Sequence, residues 1–264
     1  MAAFLIFILG LIIGSFLNVL IIRLPKSQSI LGFSKCPKCG EKIRWYDNIP
    51  VLSFFILGGR CRNCRSNISR QYPLVELASG LLFIFLFSLY GENPVFLAYI
   101  IFLASLIILT GFIDLKHFLI LDSIVLLGLT VFLLYSFGFG FNSPPASILS
   151  SSWIDSALGS LLFAGFFLFL FVITRGKGIG LGDVNLALLF GLVFGLKNSA
   201  SVLFLTFFIG FVWAIILLVS KRAGLKSKMP LGSAMAAAAI MQLAGFNLID
   251  FVDFELVFRL WQNY

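Results

Sequence analysis

Charge is scarce in this chain. Asp, Glu, Lys and Arg together make up 11% of its residues, where a soluble domain carries roughly 25%. That scarcity excludes a water-solvated surface over most of the length, and with it the ordinary soluble enzyme or binding domain. Histidine is nearly absent: the one example, His117, follows Lys116 at the edge of an apolar run and reads as a solvated interfacial residue rather than a ligand. No glycine fingerprint sits in a strand-to-helix context, so no soluble nucleotide-binding unit is visible. Internal repeats and low-complexity segments are also missing.

What fills the chain is apolar. Hydrophobic residues make 60% of it, and the mean hydropathy is +1.08. A spanning helix needs about 20 apolar residues, and the runs predict an all-α polytopic membrane protein with about eight transmembrane helices: Ala3 to Ile22, Leu74 to Tyr90, Val95 to Ile113, Phe118 to Phe137, Trp153 to Ile173, Val184 to Leu196, Ala200 to Ser220 and Leu231 to Phe246. The run from Val184 is short and carries glycine. It is expected to tilt, break or begin inside a protein cavity, since irregular backbone at membrane depth survives only where protein or water satisfies it.

The first run lacks the basic start of a cleaved signal peptide, is too long for one, and is followed at once by Arg23 and Lys26, so it is expected to remain as a helix. Charge on its C-terminal side predicts an outward N-terminus. Alternating the helices from there places most of the basic residues inside, from Arg23 through Arg70, Lys116, Arg175 and Lys177 to Lys221, Arg222, Lys226 and Lys228. Lys197 and Arg259 fall outside with Glu92, Asp155, Asp250, Asp253 and Glu255. The net charge of +8 is therefore a topology signal. It also suits anionic lipid headgroups and gives no reason to invoke nucleic acid.

The polar residues that do occur are concentrated. Cys36-Pro37-Lys38-Cys39 and Cys61-Arg62-Asn63-Cys64 form two C-x-x-C knuckles on a polar island after the first helix, the pattern of a closed, structural zinc site. A cytoplasmic location keeps thiols reduced, which disfavours disulfides. Lys38, Arg60, Arg62 and Arg65 would offset part of the charge of a four-thiolate centre. The chain thus divides into a first transmembrane helix (1–22), a small cytoplasmic zinc-binding insertion (23–73) and a polytopic membrane domain (74–264).

Ionisable groups inside spanning segments are costly and read as functional by default. Asp114 follows the run ending at Ile113, and Asp183 closes Gly180-Leu181-Gly182-Asp183 just before the next run. Both are expected at cytoplasmic helix ends, at similar depth. Two carboxyl groups sharing one site can act as general base and general acid on a peptide bond, with Gly180 and Gly182 allowing close backbone approach. The alternatives are that Asp183 is only an N-cap and that Asp114 is an interfacial charge paired with Lys116 or Lys177. Glu76, near the start of its helix, could cap a dipole or bind a substrate group. Ser15 and Asn18 read as interhelical glue, and Gly14 as a close-packing position.

Several stretches match a known family: Gly14-Ser15-Phe16-Leu17-Asn18-Val19-Leu20-Ile21-Ile22-Arg23-Leu24-Pro25, the paired knuckles, Trp45-Tyr46-Asp47-Asn48-Ile49-Pro50-Val51-Leu52-Ser53, Gly59-Arg60-Cys61-Arg62, and Tyr72-Pro73-Leu74-Val75-Glu76-Leu77, with Asp114 and Gly180 to Asp183 further on. The chain resembles the bacterial type IV prepilin peptidases, polytopic aspartic proteases of the Gly-x-Gly-Asp class. The resemblance implies removal of basic leaders from prepilins or pseudopilins at the cytoplasmic face of the bacterial inner membrane, with Asp114 and Asp183 as the catalytic pair. It further implies N-methylation of the new terminus from S-adenosylmethionine. Leu121-Asp122 stands where the family usually has Pro-Asp. Two readings from other classes stay open: a proton-coupled transporter, which would call for inverted repeats and a substrate path, and a noncatalytic zinc scaffold in which both aspartates are caps.

Overall fold

The computed structural model describes residues 1–141, 148–220 and 229–247. The expected inner charges Lys221, Arg222, Lys226 and Lys228, and the expected outer ones Asp250, Asp253, Glu255 and Arg259, lie outside the described residues. The α-helices are α1 (Ala2–Arg23), α2 (Leu52–Ile56), α3 (Gln71–Tyr90), α4 (Pro94–His117), α5 (Asp122–Phe139), α6 (Trp153–Thr174), α7 (Leu181–Val219) and α8 (Leu231–Leu243). Six of them, α1 and α3 to α7, are long and apolar enough to cross a membrane, and α8 is a shorter apolar helix. No strand longer than an isolated bridge occurs among the described residues. The chain divides into one unit of Met1–Leu109 and a second of Thr110–Tyr264.

In the first unit α1 lies along α3. Its inward residues are Gly10, Gly14, Leu17, Asn18 and Ile21, a helical stripe rich in small side chains, while Phe4, Leu5, Leu9, Ile12 and Phe16 are exposed. Two glycines on the inward stripe let the helices approach closely, and helices in lipid associate by such packing rather than by escape from water. The stripe is needed sterically: a β-carbon on Gly10 would stand 2.7 Å from the Cα of Gly80, and one on Gly14 2.7 Å from the Cα of Glu76. Asn18 donates to the carbonyls of Gly14 and Tyr72 and accepts from Gln71, the interhelical role expected for it.

The second unit is built on α7, against which α5, α6 and α8 pack. The two helices anticipated at Val184–Leu196 and Ala200–Ser220 are one 39-residue element, interrupted at Gly195, whose φ of 73° and ψ of −178° are not helical. Asp155, in the first turn of α6, repairs the break: its Oδ1 accepts from the N–H of Leu196 at 2.9 Å and its Oδ2 from the N–H of Ser151 at 2.8 Å. A carboxylate capping the second half-helix satisfies backbone that lipid could not. Gly159 and Gly191 let the backbones of α6 and α7 touch at this crossing.

Two boundaries differ from expectation in ways that shape the site. α4 continues to His117, so Asp114 lies within the helix instead of beyond it. Phe118, with φ 52°, then turns the chain out of the helix. Residues 118–121, expected to open the next helix, instead form a loop, and α5 starts at Asp122 with extended Leu121 as its N-cap. The helix thus starts without the proline usual in the resembling family.

Candidate active site and metal centre

Asp114, one turn from the end of α4, is 5% exposed. Its Oδ2 accepts from the backbone N–H of Ser233 at 2.7 Å and lies 3.0 Å from the Ser233 hydroxyl. Ser233 is the third residue of α8, so the carboxylate serves as acceptor for an N–H of that helix's first turn that has no partner within the helix. Pairing with Lys116 or Lys177 is not what holds Asp114. Separation by 119 residues hid this contact from any reading of spacing.

Asp183 is the third residue of α7, not its N-cap. Gly180 occupies the cap position, extended at φ −86° and ψ 158°, and its N–H donates to Asp183 Oδ2 at 3.0 Å. The carboxyl therefore reaches back over its own helix start, as an acidic third residue commonly does. Asp114 lies within Coulombic reach of Asp183, so both catalytic candidates belong to one electrostatic site. Ile120, in the loop after α4, packs against the first turns of both α7 and α8. A β-carbon on Gly182 would stand 2.9 Å from Cβ of Ile120, and one on Gly232 would stand 2.9 Å from Cδ1 of Ile120 and 3.1 Å from Cγ and Oδ2 of Asp114. Asn185, one position past Val184 in α7, donates to Asp122 Oδ1 at 2.9 Å and ties the start of α5 to the same region. An apolar cavity of about 370 Å³, lined by Leu115, Phe207, Trp213, Pro230 and Ser233 among others, opens beside Asp114's serine.

In the first unit the four cysteines meet: their sulfurs all lie within 4.8 Å of one another, with Cys36 and Cys64 at 3.8 Å. A tetrahedral centre with metal–sulfur bonds of about 2.3 Å needs edges of about 3.8 Å, so the cluster has the right size for a metal. The knuckles are built alike. Cys36 N–H bonds Glu41 O and Gly40 N–H bonds Cys36 O; Cys61 N–H bonds Ser66 O and Arg65 N–H bonds Cys61 O. Gly40 (φ 75°) and Arg65 (φ 59°) share the left-handed turn position, a correspondence legible in Cys-x-x-Cys-x-x-x-Ile at 36–43 and 61–68 but not drawn from the sequence. Backbone N–H groups of Cys39 and Lys38 draw the Cys36 thiol down to about 6. Cys39, despite the lowering effect of the Glu41 N–H, is pushed up to about 11 by burial and by Cys36 and Cys64. Opposite directions are what crowded sulfurs sharing protons produce. Arg62, expected beside the thiolates, instead clamps Asp47 through Nε at 2.8 Å and Nη2 at 2.5 Å, and its guanidinium holds that carboxyl below the usual range.

Glu76, undecided in sequence, has a definite task. It is 6% exposed, and its Oε2 accepts from the N–H of Val51 at 2.8 Å. Val51 has φ 62° and ψ −51°, with Leu52 N–H bonded to Pro50 O at 2.6 Å, a γ-turn of the rare positive-φ kind. The carboxylate of α3 fastens a strained turn of the cysteine-bearing segment to a membrane helix.

These features define a class: a multi-pass helical membrane protein with a four-cysteine insertion and two carboxyl groups brought together at helix ends. Residues 8–90 match the family described as Bacterial Peptidase A24 N-terminal domain, and residues 100–215 the Type IV leader peptidase family. A prepilin leader peptidase/N-methyltransferase of Burkholderia pseudomallei (strain 1026b) is 31% identical over 263 residues, covering 89% of this chain and 83% of that one. The protein of the same name from Pseudomonas putida is 33% identical over 255 residues, covering 88% and 86%. A third, from Myxococcus xanthus, is 57% identical over a 79-residue stretch, 30% of this chain and 24% of the relative. No solved structure matches. The chain belongs to the type IV leader peptidase family.

Proposed function

We propose that this protein is an aspartic endopeptidase of the bacterial inner membrane that removes the basic leader from type IV prepilins or pseudopilins at the cytoplasmic face and then N-methylates the trimmed terminus. The observation that carries the peptidase reading is the pairing of Asp114 and Asp183 at the ends of α4 and α7, within Coulombic reach, in a chain of this family. One carboxylate takes a proton from water as the oxygen attacks the scissile carbonyl. The other, protonated, donates to the developing oxyanion; the first then passes the proton it took from water to the leaving nitrogen, and the second recovers its own proton as the carbonyl re-forms. Oδ2 of Asp114 is occupied by Ser233, which leaves Oδ1 as the oxygen that exchanges the proton with water. Gly180 leaves room for an extended substrate backbone at the start of α7, while the space beside Gly182 is taken by Ile120.

The four cysteines fit zinc, a closed structural site with no position for water. Cys36, Cys39, Cys61 and Cys64 would hold it and so fix the two knuckles relative to each other. S-adenosylmethionine would supply an electrophilic methyl group to the new amine. The described residues present no nucleotide-binding fold for it, so the methylation half rests on kinship and no residue is assigned to it. Lipid surrounds the spanning helices, and the basic loops face the cytoplasm. The test is cleavage of a synthetic prepilin by the purified protein in detergent: Asp114→Asn and Asp183→Asn should each abolish it while the protein still accumulates in the membrane. Cleavage that survives both substitutions would remove the dyad from the mechanism.

A further inference from the structure

Asp114 and Ser233 meet in a way the dyad alone does not require. The Ser233 hydroxyl lies 3.0 Å from Asp114 Oδ2 and also 2.8 Å from the carbonyl oxygen of Gly111. A hydroxyl has one proton, so it donates to one of these at a time. The Ser233 N–H holds Oδ2 at 2.7 Å regardless. When Asp114 is a carboxylate, the hydroxyl proton is best used on Oδ2. When Asp114 gains a proton it does so on Oδ1, and Oδ2 remains an acceptor for the Ser233 N–H and hydroxyl. Gly111 O sits inside α4 and keeps its helix bond when the hydroxyl turns away, so neither orientation strands a buried polar group.

We infer that Ser233 is a positioning residue for the aspartyl chemistry, its N–H and hydroxyl together holding Oδ2 in place while Oδ1 of Asp114 takes up and releases the proton. The inference rests on the dyad reading above. The serine keeps its own proton throughout: the proton that moves comes from the attacking water and passes through Asp114 to the product. What the hydroxyl contributes is a partner for Oδ2 in both states, so that the carboxyl does not re-aim between the base step and the acid step. In catalysis a misplacement of about 1 Å can cost about 10²-fold.

The test uses the full chain in detergent with a synthetic prepilin. Ser233→Ala removes the hydroxyl and leaves the N–H, and should lower kcat by about tenfold or more with KM within about twofold, the pattern of an interaction that matters in the transition state. Ser233→Thr restores a hydroxyl and should recover activity to within a few-fold of wild type. Ser233→Val has the shape of the threonine variant without the hydroxyl, so the Thr–Val comparison decides the matter even if the alanine variant folds poorly. Equal kcat for Ser233→Thr and Ser233→Val, or wild-type kcat for Ser233→Ala, overturns the inference. A wild-type protein that cleaves nothing, or an active Asp114→Asn variant, overturns the dyad reading instead.

Discussion

Replacing Gly232 with alanine separates stability from catalysis. The added methyl would stand 3.1 Å from Cγ and Oδ2 of Asp114 and 2.9 Å from Cδ1 of Ile120, where comfortable carbon contacts lie at about 3.5–4.0 Å. Ile120 yields cheaply, because the clashing atom is the far end of a side chain on a loop. Asp114 does not, because its Oδ2 is held by the Ser233 N–H and hydroxyl at 2.7 and 3.0 Å. The strain therefore falls on the carboxyl, which must tilt by a few tenths of an ångström or give up a bond. Gly232 is the second residue of α8, and alanine suits a helix better than glycine by up to about 1 kcal/mol, so the fold should lose nothing. The expected outcome is an unfolding midpoint in detergent equal to or slightly above wild type, with kcat for synthetic prepilin reduced about 10- to 100-fold, a barrier increase of about 1.4–2.7 kcal/mol. Wild-type kcat in a well-folded Gly232→Ala protein would show that the carboxyl position inferred here is not the one used in turnover.

Asp122→Asn should reduce leader cleavage only a few-fold, measured in the same assay, since an amide can still accept from Asn185; complete loss would mean Asp122 has a catalytic part. Metal analysis should find about one zinc per chain, lost on substitution of any of Cys36, Cys39, Cys61 or Cys64, because a closed tetrahedral site tolerates no vacancy; four freely labelled thiols in the native protein would contradict this. Asp183→Asn, given an already trimmed pilin peptide and S-adenosylmethionine, should still methylate it, since methyl transfer does not need the dyad, whereas disrupting the cysteine module should impair transfer; mass spectrometry of the peptide decides. Gly159→Ala should destabilise the folded protein by several kcal/mol, because its methyl would meet backbone atoms of Gly191 and Gly195; an unchanged unfolding midpoint would count against the crossing of α6 and α7.

The spanning helices were legible because lipid demands long apolar runs and the chain has little else. Both aspartates were legible as charges where charge is costly, and the four cysteines as paired knuckles on a polar island. The supporting contacts were not. Nothing around Ser233 in Pro230-Leu231-Gly232-Ser233 marks it as a partner of Asp114, and Asp155 read only as an outer charge until Leu196, 41 residues on, presented its N–H. Apolar residues 118–121 could not be told from helix by composition; a positive φ at Phe118 decides it. Glu76 stayed ambiguous because its partner is a backbone group, which has no signature in sequence.

The interruption of α7 also bears on the membrane itself. Its first half, residues 181–194, rises about 21 Å at 1.5 Å per residue, while a bilayer's hydrocarbon layer is about 30 Å thick. The half-helix that carries Asp183 is thus shorter than that layer, and Val184, Leu186, Leu189, Phe190, Val193 and Phe194 bury most of it in protein, the setting in which a helix can end at partial depth. Proteolysis needs water where an apolar pilin helix begins, and a protein-lined helix end short of full depth is a place where water and the substrate's charged leader can meet.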